Sequence, residues 1–154
     1  MELAAELDSA ATVLCHRDFH AANLMIDSNK DLRIIDHQDA RIGSPTYDLV
    51  SLLLDRVTET PSDEWLSQMR EYYFDQRDAV GLESIDRDAF DHEFQLQTIQ
   101  RCLKAAGTFS FQSAAREKAY FIPFIKPMFR IVSNAAEKLN RFPTIQTVLK
   151  GELH

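Results

Sequence analysis

The chain has 154 residues and a formal net charge of −7, from 24 acidic and 17 basic side chains. Hydrophobic residues make up 45% of it, which is enough to build the core of one domain and argues against a disordered segment. The acidic balance argues against nucleic acid as a partner, and no apolar run approaches the roughly 20 residues that a membrane span requires. An acidic surface would suit a cationic substrate, although net charge is a weak guide.

A helix and a short strand are the first elements in chain order. Residues 2–9 have the pattern of the end of a helix, and residues 12–15 have that of a strand. The acidic N-terminus lacks the basic region of a secretory signal. Cys15 and Cys102 are isolated in the sequence, so we expect reduced thiols, a cytoplasmic location and, for Cys15, a small buried side chain.

A polar segment at 16–23 follows the strand and leads into a predicted hairpin. The apolar runs 24–26 and 32–35 flank a polar turn, so the hairpin should bring Asn23 and Asp36 together at its open end. Asp18 is suited to accept or orient a hydroxyl proton. Asn23 and Asp36 offer the amide and carboxylate oxygens that Mg²⁺ binds beside substrate phosphates. The pattern predicts phosphoryl transfer.

The rest of the chain is predicted to be helical, which makes the fold class mainly α with a small β-hairpin (α+β). Apolar residues at helical spacing predict helices at 48–57, 63–80, 87–106, 113–120, 127–139 and 144–149. Ser62 is the expected N-cap of the second helix, Ser84 or Asp86 that of the third, and Gly107 is expected to interrupt the third. His92 and His154 are expected at the surface.

The segment 16–23 reads His-Arg-Asp-Phe-His-Ala-Ala-Asn, and Asp36 follows thirteen residues after its last residue. This is the H-R-D-x-x-x-x-N pattern followed by a metal-binding Asp. It resembles the C-terminal lobe of the aminoglycoside phosphotransferase and choline kinase-like family. His20 stands where protein kinases carry Lys, and His37 and Gln38 replace Phe-Gly, as in small-molecule kinases. Within the family, the stretch 39–52 is similar to bacterial kinases of N-acetylmuramate and N-acetylglucosamine.

The resemblance implies one kinase-like C-terminal lobe over residues 1–154, with a catalytic loop at 16–23, a metal-binding turn at 35–39 and a helical bundle at 48–150. It implies an ATP-dependent enzyme that transfers the γ-phosphate, with Mg²⁺, to a hydroxyl of a small molecule. The acceptor is expected to be a sugar or amino sugar, with an aminoglycoside as the near alternative. None of the four glycines has phosphate-loop spacing, so we expect no N-terminal nucleotide lobe here and no activity of the fragment without one.

Eight residues are predicted to serve the site. They are Asp18 as the catalytic residue, Asn23 and Asp36 as metal ligands, His16 and Asp48 as supports of the loop, and His20, Gln38 and Asp39 on the substrate side. Several have plainer alternatives. His20 is as well explained as a packed or hydrogen-bonded histidine, Gln38 and Asp39 as a solvated turn, and Asp48 as a helix N-cap alone.

A second functional class also fits the sequence. The chain would then be a catalytically incompetent kinase-like lobe that acts as a binding or interaction module. The surface left by the missing N-terminal lobe would expose apolar residues and favour self-association. The retained Asp18, Asn23 and Asp36 argue against a degenerate site.

Overall fold

The computed structural model describes residues 2–153, apart from the side chains of Glu2, Ser9 and Leu153, so the expected exposure of His154 lies outside the described residues. The fold is mostly helical with two small sheets, which confirms the predicted α+β class. The elements in chain order are α1 (Glu2–Ser9), β1 (Val13–Cys15), β2 (Leu24–Ile26), β3 (Leu32–Ile34), β4 (Arg41–Gly43), α2 (Tyr47–Leu54), α3 (Asp63–Ala79), α4 (Arg87–Arg116), α5 (Ile122–Lys138) and α6 (Pro143–Leu153).

Both sheets are antiparallel pairs of short strands. The predicted hairpin is confirmed: β2 pairs with β3 in the register Leu24↔Ile34. The Asp27 carboxylate holds its turn by accepting the backbone N–H groups of Asn29 and Asp31 at 2.8 and 3.0 Å. The second sheet was not predicted. It pairs β1 with β4, which lies about 28 residues further along the chain, in the register Cys15↔Arg41.

The predicted break at Gly107 and the predicted separate helix at 113–120 were wrong, because both lie in or next to one continuous helix, α4. It runs unbroken over 30 residues. Glycine inside a helix costs about 1 kcal/mol, whereas burial of one large apolar side chain contributes roughly 1.5–3 kcal/mol. Ala106 and Phe109 are both buried beside Gly107, so packing outweighs the glycine. The helix ends where Glu117 takes the left-handed conformation, with φ of 54°.

Three other helix boundaries differ from the predicted ones. Helix α2 ends at Leu54 instead of 57, α6 extends to Leu153, and α5 begins at Ile122 instead of about 127. Pro127 therefore lies inside α5. It removes one backbone hydrogen bond near the start of the helix, and the burial of Pro127 together with Phe124 and Met128 offsets that loss. The predicted caps are confirmed: the side chains of Ser62 and Asp86 accept backbone N–H groups of α3 and α4.

The core lies among the helices. It is built by the packed faces of α2, α4 and α5, with contributions from α3 and α6. Its fully buried large side chains include Leu54, Phe94, Ile99, Met128 and Val132. The two small sheets lie outside this core, so the loops that join them are attached to the helical body mainly through hydrogen bonds. Within residues 2–153, no helix has the length and hydropathy needed to cross a membrane.

Candidate active site

The carboxylate of Asp48 holds the start of the polar loop 16–23. Asp48 lies in the first turn of α2, and its two oxygens accept the backbone N–H groups of His16 and Arg17 at 2.6 and 2.9 Å. Arg17 has a φ of 73°, a left-handed conformation that is uncommon for a residue with a side chain. The two hydrogen bonds therefore stabilise a strained loop backbone from 31 and 32 residues away.

The imidazole of His16 joins the loop to the end of the hairpin. Its Nε2 lies 2.9 Å from the carbonyl oxygen of Ile35, and its Nδ1 lies 3.3 Å from the backbone N of Asp18. A carbonyl oxygen only accepts and an amide N–H only donates, so both contacts are satisfied by the neutral tautomer that carries its proton on Nε2. This places Asp18 and the residue before Asp36 on either side of one ring.

The side chain of Asp18 is oriented by its neighbours and is still half exposed. The amide nitrogen of Asn23 donates to the carbonyl oxygen of Asp18 at 2.8 Å and to its Oδ2 at 3.2 Å. His20 Nε2 lies 3.4 Å from the other carboxylate oxygen, while 50% of the Asp18 side chain remains exposed. His20 itself is buried, and its Nδ1 has no hydrogen-bond partner among the described residues. The Asp18 carboxylate is thus held in one orientation but remains open to a ligand.

The hairpin brings Asn23 and Asp36 to its open end, as predicted. The pair Leu24↔Ile34 continues into a backbone hydrogen bond of 3.1 Å from Ile35 N–H to the carbonyl of Asn23, and Asp36 is the next residue. Asp36 has a φ of 67° and accepts a hydrogen bond from Gln38 Nε2. Backbone strain at a polar loop residue is typical of functional sites.

The donor atoms at this end of the hairpin suit a hard cation. Asn23 uses its amide nitrogen to donate to Asp18, which leaves its amide oxygen as an acceptor, and the exposed carboxylate of Asp36 adds anionic oxygens. Mg²⁺ prefers oxygen ligands, and it is commonly held by one or two protein groups together with substrate phosphates. Among residues 2–153, no group of three His, Cys, Asp or Glu side chains is placed to hold a metal ion.

Cys15 packs beneath the loop. The side chain is buried, and its Sγ lies 3.1 Å from the carbonyl oxygen of Ser44, which confirms the predicted small buried residue. Burial raises the pKa of the Cys15 thiol to about 11. A thiol with that pKa is protonated at neutral pH, so Cys15 is not a nucleophile there.

A cavity of about 220 Å³ opens beside Asp18. Its other walls come from the end of α2 and the middle of α4, and it is lined by Asp55, Arg56, Arg101, Lys104, Thr108 and Phe109. These residues were not predicted from the sequence. Arg101 and Lys104 lie on one face of the predicted helix 87–106, but no local pattern indicates that this face lies beside Asp18, and the predicted break at Gly107 separated Thr108 from them. His20, Gln38 and Asp39 do not line the cavity, so their substrate-side role stays a prediction.

Buried polar contacts fix α2 against α4 behind the site. Glu93 on α4 accepts hydrogen bonds from the hydroxyls of Ser44 and Thr46, the latter at 2.8 Å. Arg101 donates to the Tyr47 hydroxyl at 2.8 Å and to the Ser51 hydroxyl. These contacts determine which face of α4 is turned towards Asp18.

The sequence of this chain is similar to proteins of a known family. The model of the phosphotransferase enzyme family matches residues 2–84, which is 83 of the 154 residues and includes the whole loop, the hairpin and α2. Three similar proteins are N-acetylmuramate/N-acetylglucosamine kinases. The one from Neisseria meningitidis is 37% identical over 99 residues, the one from Pseudomonas putida 34% over 111, and the one from Caulobacter vibrioides 42% over 62.

These alignments cover 64%, 68% and 37% of this chain and 29%, 31% and 17% of the three relatives. The chain thus matches less than a third of the length of each kinase. The match to the family model nevertheless extends over more than half of the chain and includes every residue of the loop and hairpin described above. The chain belongs to the phosphotransferase enzyme family.

Proposed function

We propose that this chain is the C-terminal lobe of a kinase-like, ATP-dependent phosphotransferase that acts on a hydroxyl of a sugar or amino sugar. The observation that supports it is the surroundings of Asp18: a half-exposed carboxylate, oriented by Asn23 and His20, on a loop that Asp48 holds in a strained conformation. The names of the similar proteins suggest N-acetylmuramate or N-acetylglucosamine as the acceptor. In such a sugar the reacting group would be the anomeric hydroxyl.

In the proposed reaction, Asp18 accepts the proton of the acceptor hydroxyl while the oxygen of that hydroxyl forms a bond to the γ-phosphorus. The bond between that phosphorus and the bridging oxygen of ADP breaks, and the electron pair leaves with ADP. Asn23 and Asp36 would hold Mg²⁺, which neutralises charge on the nucleotide phosphates when bound. Within the chain, Asp48 and His16 would act as positioning residues, because their hydrogen bonds hold the backbone of the loop and of the hairpin end.

A second candidate function rests on exposed apolar side chains of the two sheets. In one sheet Leu14, 71% exposed, lies opposite Ile42, and in the other Ile26, 65% exposed, lies opposite Leu32. Exposed apolar surface of this kind can mark an interaction site. It would receive an N-terminal nucleotide lobe in an active enzyme, or a second copy of the chain in a non-catalytic interaction module.

The deciding experiment measures ATP turnover with Mg²⁺ against N-acetylmuramate, N-acetylglucosamine and a panel of aminoglycosides. It compares this chain with a form extended upstream to include any encoded N-terminal lobe. We expect turnover by the extended form and a loss of at least about 100-fold in Asp18→Ala, the range for removal of a general base. Asp75→Ala, at an exposed position on α3, is the matched control and should retain activity.

The two candidate functions give different results in this experiment. Turnover of one sugar that depends on Asp18 would establish the reaction and the acceptor together. If the extended form binds Mg-ATP but transfers phosphate to none of the acceptors, the assignment to these sugar acceptors fails and the interaction module becomes the favoured function. Concentration-dependent dimerisation of that inactive form, measured by sedimentation, would then support the interaction module.

A further inference from the structure

The cations of the 220 Å³ cavity beside Asp18 lie on the wall formed by α4 and by the residues after α2. Arg56, Arg101 and Lys104 line it, against the carboxylates of Asp18 and Asp55. One of these carboxylates is the proposed proton acceptor, and the other lies 4.0 Å from Arg56 Nε. The lining thus carries three cations against two carboxylates, a net charge of +1 in a protein whose overall charge is −7. Arg101 and Lys104 are the two of these cations with no carboxylate ion-paired to them among the described residues.

The charge of Arg101 is not neutralised by the chain itself. Its two terminal nitrogens donate to the hydroxyls of Tyr47 and Ser51, which are neutral acceptors. Its Nε is buried and finds no acceptor among the described residues. The guanidinium also lies 4.6 Å from the centre of the Tyr47 ring, which fixes its plane. This is a preorganised cation, because its position is set before any ligand binds.

Lys104 lies three residues further along α4, so it projects from the same side of the helix as Arg101. Its side chain is exposed, and none of the ion pairs within the described part of the chain includes it. The pair thus combines a fixed guanidinium with a mobile ammonium group. Two cations about one helical turn apart are suited to a single carboxylate.

The cavity also lies on the acceptor side of the proposed site. Asn23 and Asp36, the proposed ligands of the nucleotide-bound metal, do not line it, whereas Asp18 does. Its volume is below the roughly 300–1,000 Å³ of typical small-molecule sites, which suits one sugar ring better than a chain of linked rings. A cationic aminoglycoside would meet like charges there.

From these observations, and on the basis of the proposed function, we infer that the acceptor is an acidic sugar, whose carboxylate binds Arg101 and Lys104 while its reacting hydroxyl faces Asp18. Lys104 and Arg101 are then the residues that distinguish a carboxylate-bearing amino sugar from its neutral counterpart. N-acetylmuramate and N-acetylglucosamine are suitable probes, because they differ by the lactyl ether that carries the carboxylate. The overall acidic charge suggested a cationic substrate, whereas the cations that line this cavity favour an anionic one.

The test measures the affinity of each sugar for the 154-residue chain by titration calorimetry, without nucleotide. The wild-type chain should bind N-acetylmuramate more tightly than N-acetylglucosamine, and the difference should shrink as salt is raised. Lys104→Ala should weaken N-acetylmuramate about 3- to 10-fold and change N-acetylglucosamine less than twofold, and Lys104→Glu should reverse the preference. Lys150→Ala, at an exposed position on α6, is the charge-matched control. Lys104 is chosen because Arg101 also supports Tyr47 and Ser51.

Equal binding of the two sugars by the wild-type chain would overturn this inference, as would no binding of either. A loss on Lys104→Ala that is the same for both sugars would also overturn it. Failure here together with Asp18-dependent transfer in the turnover experiment would leave the proposed reaction standing. Selective, Lys104-dependent binding without transfer to any acceptor would support the carboxylate site and refute the proposed reaction.

Discussion

Substitution of Asp48 should destabilise the loop and the fold by a measurable amount. The carboxylate accepts two backbone N–H groups, at 2.6 and 2.9 Å. Hydrogen bonds to a charged acceptor contribute roughly 1.5–3 kcal/mol each. Because Asp48 is partly exposed, water can replace the carboxylate as an acceptor in the variant. We take the lower end of this range, about 1.5 kcal/mol for each hydrogen bond. We therefore expect Asp48→Ala to lower the free energy of unfolding by about 3 kcal/mol, and Asp48→Asn, which keeps one oxygen acceptor, by about 1–2 kcal/mol.

The assay is urea unfolding followed by circular dichroism, with Asp75→Asn as the matched removal of an exposed charge. That control should change the free energy of unfolding by less than about 0.5 kcal/mol. The extended, active form should also lose turnover in Asp48→Ala, because Arg17 is no longer held in its left-handed conformation one residue before Asp18. The reasoning is refuted if Asp48→Ala unfolds within 0.5 kcal/mol of the wild type with the same urea dependence.

Four further substitutions test the packing around the site and the ion pair of Glu6 with Arg141. Gly43→Ala should lower the free energy of unfolding by about 1–2 kcal/mol, because the new Cβ would lie 3.0 Å from Cys15 Sγ. Gly107→Ala has open space around the new Cβ and should raise the free energy of unfolding by about 0.5–1 kcal/mol in the same assay. The pKa of Cys15 is raised by burial from 9.0 to about 11, so its contribution to stability is complete below pH 9 and is lost as the pH rises towards 11. Urea unfolding across that range should show a smaller decline in Cys15→Ala than in the wild type. The hydrogen bonds from Arg141 lower the pKa of Glu6, so Glu6→Gln should lower the melting temperature at pH 7, and the difference from wild type should shrink below pH 4.5; a constant difference would contradict the role of this ion pair.

The local features of the chain could be predicted from the sequence. The hairpin at 24–34, the N-caps at Ser62 and Asp86 and the helical character of the second half all arise from residues within a few positions of one another. The convergence of Asn23 and Asp36 belongs to the same class, since a short hairpin returns its ends to one place whatever surrounds it. The family was also predictable, because its motif lies within residues 16–52.

The misplaced boundaries had a different origin. Gly107 and Pro127 are correctly interpreted as unfavourable within helices, but the burial of Phe109 and Met128 beside them outweighs that preference. Propensity describes an isolated segment, and the packing of α4 against α5 was not visible in it. The pairing of β1 with β4 was missed because three-residue strands give little periodicity.

The sequence alone therefore determined which residues are proposed for the chemistry, since Asp18, Asn23 and Asp36 lie in a motif whose spacing is set by a loop and a hairpin. Only the tertiary structure decided what surrounds them. The two hydrogen bonds that Asp48 accepts connect residues more than 30 positions apart, and Arg101 and Lys104 line the same cavity as Asp18 because α4 packs against α2. Contacts of this kind depend on how whole helices are placed, and no local pattern of residues contains that placement.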